Sequence, residues 1–161
     1  YYALNMGGIS TLVDSIGGIT VTIPHDYTNL DPAFVEGARL NLDGAQAYKL
    51  LRTRHGVDDQ TNIARMARQN AVLEAATQKL TSLNNDDLVV AFSTVSDYAV
   101  TDMGSAEILQ LKEIMGQYQQ LPSLQIEGEA FIQGEYMAFE PDAGSLQDVI
   151  LQLFYTKKEM R

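Results

Sequence analysis

Between Gly8 and Pro24 the apolar pattern changes period once, across a Gly-Gly pair, and that change limits the folds open to the chain. Ile9, Leu12, Val13 and Ile16 recur at the i, i+3, i+4, i+7 spacing of one helix face, which predicts an amphipathic helix over Gly8–Ile16. Gly17 and Gly18 end it, because glycine enters the left-handed backbone that closes a helix at little cost. Ile19, Val21 and Ile23 then alternate with Thr20 and Thr22, the period of a half-buried strand, and Pro24 closes it. A helix feeding straight into a strand calls for a mixed fold in which helices cover a sheet.

The rest of the chain extends this pattern. Residues 24–42 are rich in Pro, Asp and Asn and read as an ordered surface excursion. Asp43, with Gln46 three positions on, predicts a capped helix through Leu51. A longer helix is expected over Asn62–Leu83, where Ile63, Met66, Asn70, Leu73, Thr77 and Leu80 keep a seven-residue seam. Asp87–Val95 and Ser105–Tyr118 read as two shorter helices. Leu124–Ile132 and Tyr136–Phe139 read as a hairpin around Gln133-Gly134, and Asp142 caps a last helix carrying Leu146, Val149, Ile150, Leu153 and Phe154. The expected architecture is α/β: a layered α/β/α single domain over 1–161, with a small central sheet flanked by helices.

Composition narrows the function classes. The chain has 161 residues, 45% of them hydrophobic, and a formal charge of −10, which suits an ordinary globular core. With no cysteine there is neither a disulfide framework nor a thiol metal site, and His25 and His55 alone make a histidine-built zinc site a poor expectation. The acidic balance argues against a nucleic-acid partner, which calls for a broad basic face. No apolar run has the ~18–20 residues of a membrane span. The chain opens on YYALNM, without an initiator Met or signal peptide, and so reads as starting inside a longer protein whose N-terminal portion, with any membrane anchor, lies upstream.

Against this acidic background, five of the six arginines fall between residues 39 and 68: Arg39, Arg52, Arg54, Arg65 and Arg68. The planar guanidinium fork matches the oxygens of phosphate or carboxylate, so the cluster reads either as a phosphate site or as surface ion pairs with Asp58, Asp59 and Glu74. Arg52 and Arg54 point the same way if their segment is extended. Arg65 and Gln69 are neighbours on one helix face near an N-terminus, where free N–H groups favour anions. Two arginine pairs around one centre are more than a single phosphate needs, and a pyrophosphate could use them all. Arg39 reads as a surface residue, Tyr48 as core, and His55 as a loop histidine, although its type would also suit a general base.

The segments LVDSIGGITVTIP (12–24), LDGAQAYKLLRTRH (42–55) and NIARMARQ (62–69) together resemble the LytR–CpsA–Psr family of cell-envelope phosphotransferases. So do VTDMGSAEILQL (100–111) and MAFEPDAGSLQDVILQLF (137–154), and the likeness covers nearly the whole chain. The specific part is R-x-R followed by R-x-x-R-Q. The resemblance implies transfer of a glycopolymer from a polyprenyl-pyrophosphate carrier onto a peptidoglycan sugar hydroxyl. It further implies an extracytoplasmic, membrane-anchored full-length protein, Mg2+ as cofactor, and an apolar channel for the lipid.

By the same likeness, Arg52, Arg54, Arg65 and Gln69 would surround the pyrophosphate, with Arg52, Arg54 and Arg65 the groups acting in catalysis. Arg68 either joins them at the ligand or braces an Asp or Glu. Asp58, Asp59 and Asn62 are possible loop contributors. Two departures stand out. Asn62 occupies a position where the family pattern commonly carries aspartate, and asparagine keeps an oxygen for capping but cannot act as a base. The metal-binding aspartates of the family's upstream half are also outside this chain. A non-catalytic module gripping polyprenyl phosphate or an anionic wall polymer is therefore the competing reading. A DNA-binding regulator ranks below both, since no basic recognition helix stands out.

Overall fold

A computed structural model describes residues 1–53, 62–118 and 124–155. By its internal contacts the chain divides into two compact units, Tyr1–Gln119 and Gln120–Arg161. The first unit runs β1 (Tyr2–Leu4), α1 (Met6–Ser15), β2 (Ile19–Thr22), β3 (Arg39–Leu42), α2 (Gly44–Arg52), α3 (Asn62–Ser82) and α4 (Asn85–Thr94). A 3-10 turn (Ser96–Tyr98), β4 (Ala99–Thr101) and α5 (Ser105–Gln117) complete it. The second unit is a hairpin of β5 (Gly128–Gln133) and β6 (Tyr136–Pro141) followed by α6 (Ala143–Phe154). The class is mixed α/β as expected. Among the described residues its strands form three two-stranded antiparallel ribbons, β1 with β4, β2 with β3, and β5 with β6.

The helix-to-strand turn forms where the glycines place it. Gly17 and Gly18 have φ of +75° and +86°, and the Gly18 N–H donates back to the Val13 carbonyl at 2.9 Å. A side chain at Gly18 would also crowd the strand beside it, its Cβ lying 2.8 Å from the Leu42 carbonyl oxygen. Helix α1 begins two residues before the apolar pattern, because the Asn5 side chain accepts from the Gly8 N–H at 3.0 Å and caps it.

The Asp43–Gln46 pair forms the expected capping box: Asp43 accepts from the Gln46 N–H at 2.8 Å, and its own N–H donates to Gln46 Oε1 at 3.3 Å. Immediately after the cap, α2 passes α1 so closely that a Cβ at Gly44 would collide with the Ser10 carbonyl oxygen and sit 2.7 Å from Asp14 Oδ2. The Gly44 N–H donates to Asp14 Oδ1 at 2.7 Å across the same crossing. Gly44→Ala should therefore destabilise the fold by about 1–3 kcal/mol, read as a lower urea midpoint at unchanged slope, because backbone rather than a flexible side chain must give way.

Two expectations need correction. Residues 24–42 are not only a surface excursion: Tyr27 and Phe34 are buried in the core, and residues 39–42 form β3, with Ile19 opposite Leu42 and Val21 opposite Leu40. The segment is folded on itself, Tyr27 N–H to the Phe34 carbonyl at 2.9 Å and Leu30 N–H to the Tyr27 carbonyl at 2.8 Å. Asp31 accepts from the Ala33 N–H at 3.1 Å, which is the main reason its carboxyl sits below the usual carboxylate range. Lys49 of α2 then ties the segment down, through the Leu30 carbonyl at 3.1 Å and Asp31 Oδ2 at 3.6 Å.

The second correction concerns α3. Met66 and Leu73 of the predicted seam are 54% and 64% exposed, whereas Arg68, Val72 and Ala75 are buried. The helix lies against β2 and α2 through this second face. Small side chains there let it approach, and the one large polar residue, Arg68, finds local partners. An apolar-period reading scores that arginine as solvent-facing and so misses this face, although Thr77 and Leu80 of the seam are half-buried.

The core gathers Val13 of α1 and its C-cap Ile16, Ile19, Val21 and Ile23 in and after β2, Leu42 of β3, and Ala47 and Leu50 of α2. Tyr27, Phe34, Val72, Ala75 and Ala91 complete it. No helix among the described residues is long and apolar enough to cross a membrane.

Candidate functional site

Helix α2 ends at Arg52, and Thr53 follows as its C-cap, its N–H and Oγ1 both donating to the Lys49 carbonyl, at 3.2 and 2.8 Å. Helix α3 brings Arg68 back to this end, with Arg65 near enough for its charge to act on Arg68. The joining contact is direct: Arg68 Nη2 donates to the Thr53 carbonyl oxygen at 2.8 Å. Arg68 is 1% exposed, and its guanidinium carbon lies over the Tyr27 ring, 5.2 Å from the centroid. Burial pulls its pKa below the ordinary arginine value; Tyr27 works against that shift and the nearby positive charge of Arg65 adds to it.

No arginine of this cluster is paired with a carboxylate among the described residues, where the ion pairs are Tyr1 N-terminus with Asp102 and Lys49 with Asp31. Arg65 is half-buried, and its Nε, like Nε and Nη1 of Arg68, is a buried donor with no hydrogen-bond acceptor among the described residues. Leaving such a donor unmatched costs about 1–3 kcal/mol; half-buried Arg65 is open to an acceptor from outside, whereas the Arg68 donors are enclosed. Gln69 is half-buried one helical turn beyond Arg65.

Arg52 is exposed, with its guanidinium 5.7 Å from the centroid of the half-buried Tyr48 ring, which therefore serves as a platform rather than as core. Both residues line an open groove of about 620 Å³ shared with Gly7, Ser10, Ala45, Lys49 and Thr53. Arg39 is exposed on β3, as expected. Arg54, His55, Asp58 and Asp59 lie outside the described residues, and Asn62 is described only as the first residue of α3. Thr53 and Tyr27 were not candidates on sequence grounds. A backbone carbonyl carries no side-chain signal, and the one clue to Tyr27 was an aromatic residue amid a polar run.

Farther along α3 an apolar pocket of about 240 Å³ opens between α3, α4 and α5, lined by Thr77, Leu80, Leu88, Phe92, Ile108 and Leu111 among others. Tyr2 borders it, edge-on to Phe92 at 4.9 Å between ring centroids, and burial raises the Tyr2 pKa. At ~1.5 Å of rise per residue, Thr77 stands roughly 13 Å along the helix from Arg68. Cationic and apolar sites thus share one rigid element.

The family model LytR_cpsA_psr matches residues 1–154. The chain belongs to the LytR–CpsA–Psr family. It is 29% identical over 135 residues to polyisoprenyl-teichoic acid–peptidoglycan teichoic acid transferase TagU of Enterococcus faecalis, covering 83% of this chain and 44% of that protein. It is 33% identical over 92 residues to Biofilm regulatory protein A of Streptococcus mutans, 53% of this chain and 22% of that one. Among solved structures, Lin1025 from Listeria innocua superposes with a TM-score of 0.64 at 28% identity, covering 94% of this chain and 63% of the other. Bacillus subtilis TagV superposes with a TM-score of 0.73 at 24% identity, covering 98% and 65%, and supports the fold. This LytR–CpsA–Psr chain spans less than half the length of the curated relatives it matches, 44% of the first. Its R-x-R and R-x-x-R-Q motifs are the α2 end and the α3 start described above, with Arg54 of the former outside the described residues.

Proposed function

We propose that the chain forms part of a phosphotransferase that moves a polyprenyl-pyrophosphate-linked glycopolymer onto a peptidoglycan sugar hydroxyl in cell-wall assembly. The observation that carries this reading is a group of guanidinium donors at the α2–α3 junction without carboxylate partners among the described residues. The names of the family's teichoic acid transferases give the substrate class. In this reading Arg52, Arg54, Arg65 and Gln69 hold the diphosphate, Arg54 on family likeness alone, and the prenyl chain lies in the pocket lined by Thr77, Leu80 and Phe92. An extracytoplasmic place and a membrane anchor in the full-length protein belong to the same proposal.

The acceptor oxygen attacks the polymer-side phosphorus, the bond from that phosphorus to the bridging oxygen breaks, and polyprenyl monophosphate leaves as the hydroxyl proton is lost. Charge builds on the non-bridging and leaving oxygens, so positioned cations lower the barrier. Arginine suits that role because it stays protonated at physiological pH and meets two oxygens with one planar fork.

A magnesium requirement is proposed on family likeness. The described residues hold no group of three or more His, Asp or Glu able to bind a metal ion, and no step is routed through it.

The test is release of polyprenyl monophosphate from a lipid-linked donor, with a peptidoglycan fragment as acceptor, with and without magnesium. Turnover that depends on Arg65 supports the transferase; tight binding without release would assign the chain a holding role instead. The lipid pocket has its own test. Thr77→Phe should fill part of it and raise KM for a long-chain donor about five-fold or more, while a two-isoprene donor is unaffected, since each methylene kept out of the pocket forfeits ~0.8 kcal/mol of burial.

A further inference from the structure

We propose that Arg68 is a positioning residue that fixes the end of α2, and with it Arg52, through the Thr53 carbonyl without touching the diphosphate. The proposal rests on the pyrophosphate reading above. At 1% exposure, the Arg68 side chain has no face left for a ligand, unlike exposed Arg52 and half-buried Arg65. What it does touch is structural: the Thr53 carbonyl at 2.8 Å on one side and the Tyr27 ring on the other. Tyr27 is itself fixed in the core by its own backbone bond to Phe34.

The chain of contacts therefore runs from the 24–38 segment through Arg68 to the residue that follows Arg52. A helix C-terminus frays readily, because its last carbonyls lack partners within the helix. A cation donating to one of them is favourable both as a hydrogen bond and against the helix dipole. Arg52 sits on that last turn, so its reach depends on whether the turn holds. Lysine in place of Arg68 could span to the carbonyl or lie over the ring, but not present a planar fork to both.

The experiment is a double-mutant cycle read by calorimetric titration with inorganic pyrophosphate, with affinities taken per folded molecule. Arg68→Met should weaken binding about ten-fold in the wild-type background but less than about two-fold when Arg52→Ala is already present, because the two changes remove the same contact. Equal weakening in both backgrounds would mean that Arg68 acts on the anion itself, and would overturn the proposal. So would unchanged affinity, which reduces Arg68 to a folding role. Should Arg68→Met fail to fold, Arg68→Lys is read in the same cycle, with a loss of about three-fold expected only where Arg52 is intact. Failure of the underlying site reading shows separately, as an Arg52→Ala single variant that binds pyrophosphate as well as wild type.

Discussion

Arg65→Ala should slow transfer from a lipid-linked donor about a thousand-fold while leaving the thermal midpoint within a few degrees of wild type. The asymmetry follows from where Arg65 sits. Its Nε is buried with no acceptor among the described residues, and no carboxylate there pairs with it, so truncation strands no partner among them. On the proposed function, what is lost is a fixed positive charge aimed at oxygens whose charge grows toward the transition state. Steady-state kinetics beside a melting curve check this. A variant that loses activity only in proportion to its folded fraction would make Arg65 a structural residue.

Phe34→Ala should produce the largest loss of stability, about 3–5 kcal/mol, because the ring is fully buried and its removal leaves a cavity in the core. Chemical unfolding at unchanged slope measures it. The effect reaches the site as well, since Phe34 and Tyr27 belong to one core cluster, and the Tyr27 ring supports Arg68. A loss near zero would mean that residues 24–38 are the surface excursion their composition suggests.

That contrast shows what the chain reveals about itself before folding. Local rules were legible: the Gly17-Gly18 stop, the Ile19–Ile23 alternation and the Asp43–Gln46 box each depend on residues within a few positions, and each forms as read. Strands β1 and β4, three residues each and about a hundred positions apart, offered no local period to find. The burial of Tyr27 and Phe34 depends on partners from β2, α2 and α3, and a Pro- and Asp-rich setting hides it. The span of α3 is legible, but its buried face is not, for a related reason. Its buried face runs through Arg68, whose burial is favourable only because the Thr53 carbonyl and the Tyr27 ring come from elsewhere in the chain. At the site, motif spacing gave the residue types and their grouping. It could not separate an enclosed arginine from a half-open one three positions away, because solvent access is a property of packing and not of spacing.

On the proposed function, guanidinium groups from the end of α2 and the start of α3 grip one diphosphate. Arginine Nε–Hε resonances, followed while geranylgeranyl pyrophosphate is titrated into the labelled protein, test it most directly. The account predicts saturable shifts of the Arg52 and Arg65 signals at a common midpoint, with Arg39 on exposed β3 unmoved. Shifts of equal size at Arg39, or none at Arg65, would contradict it.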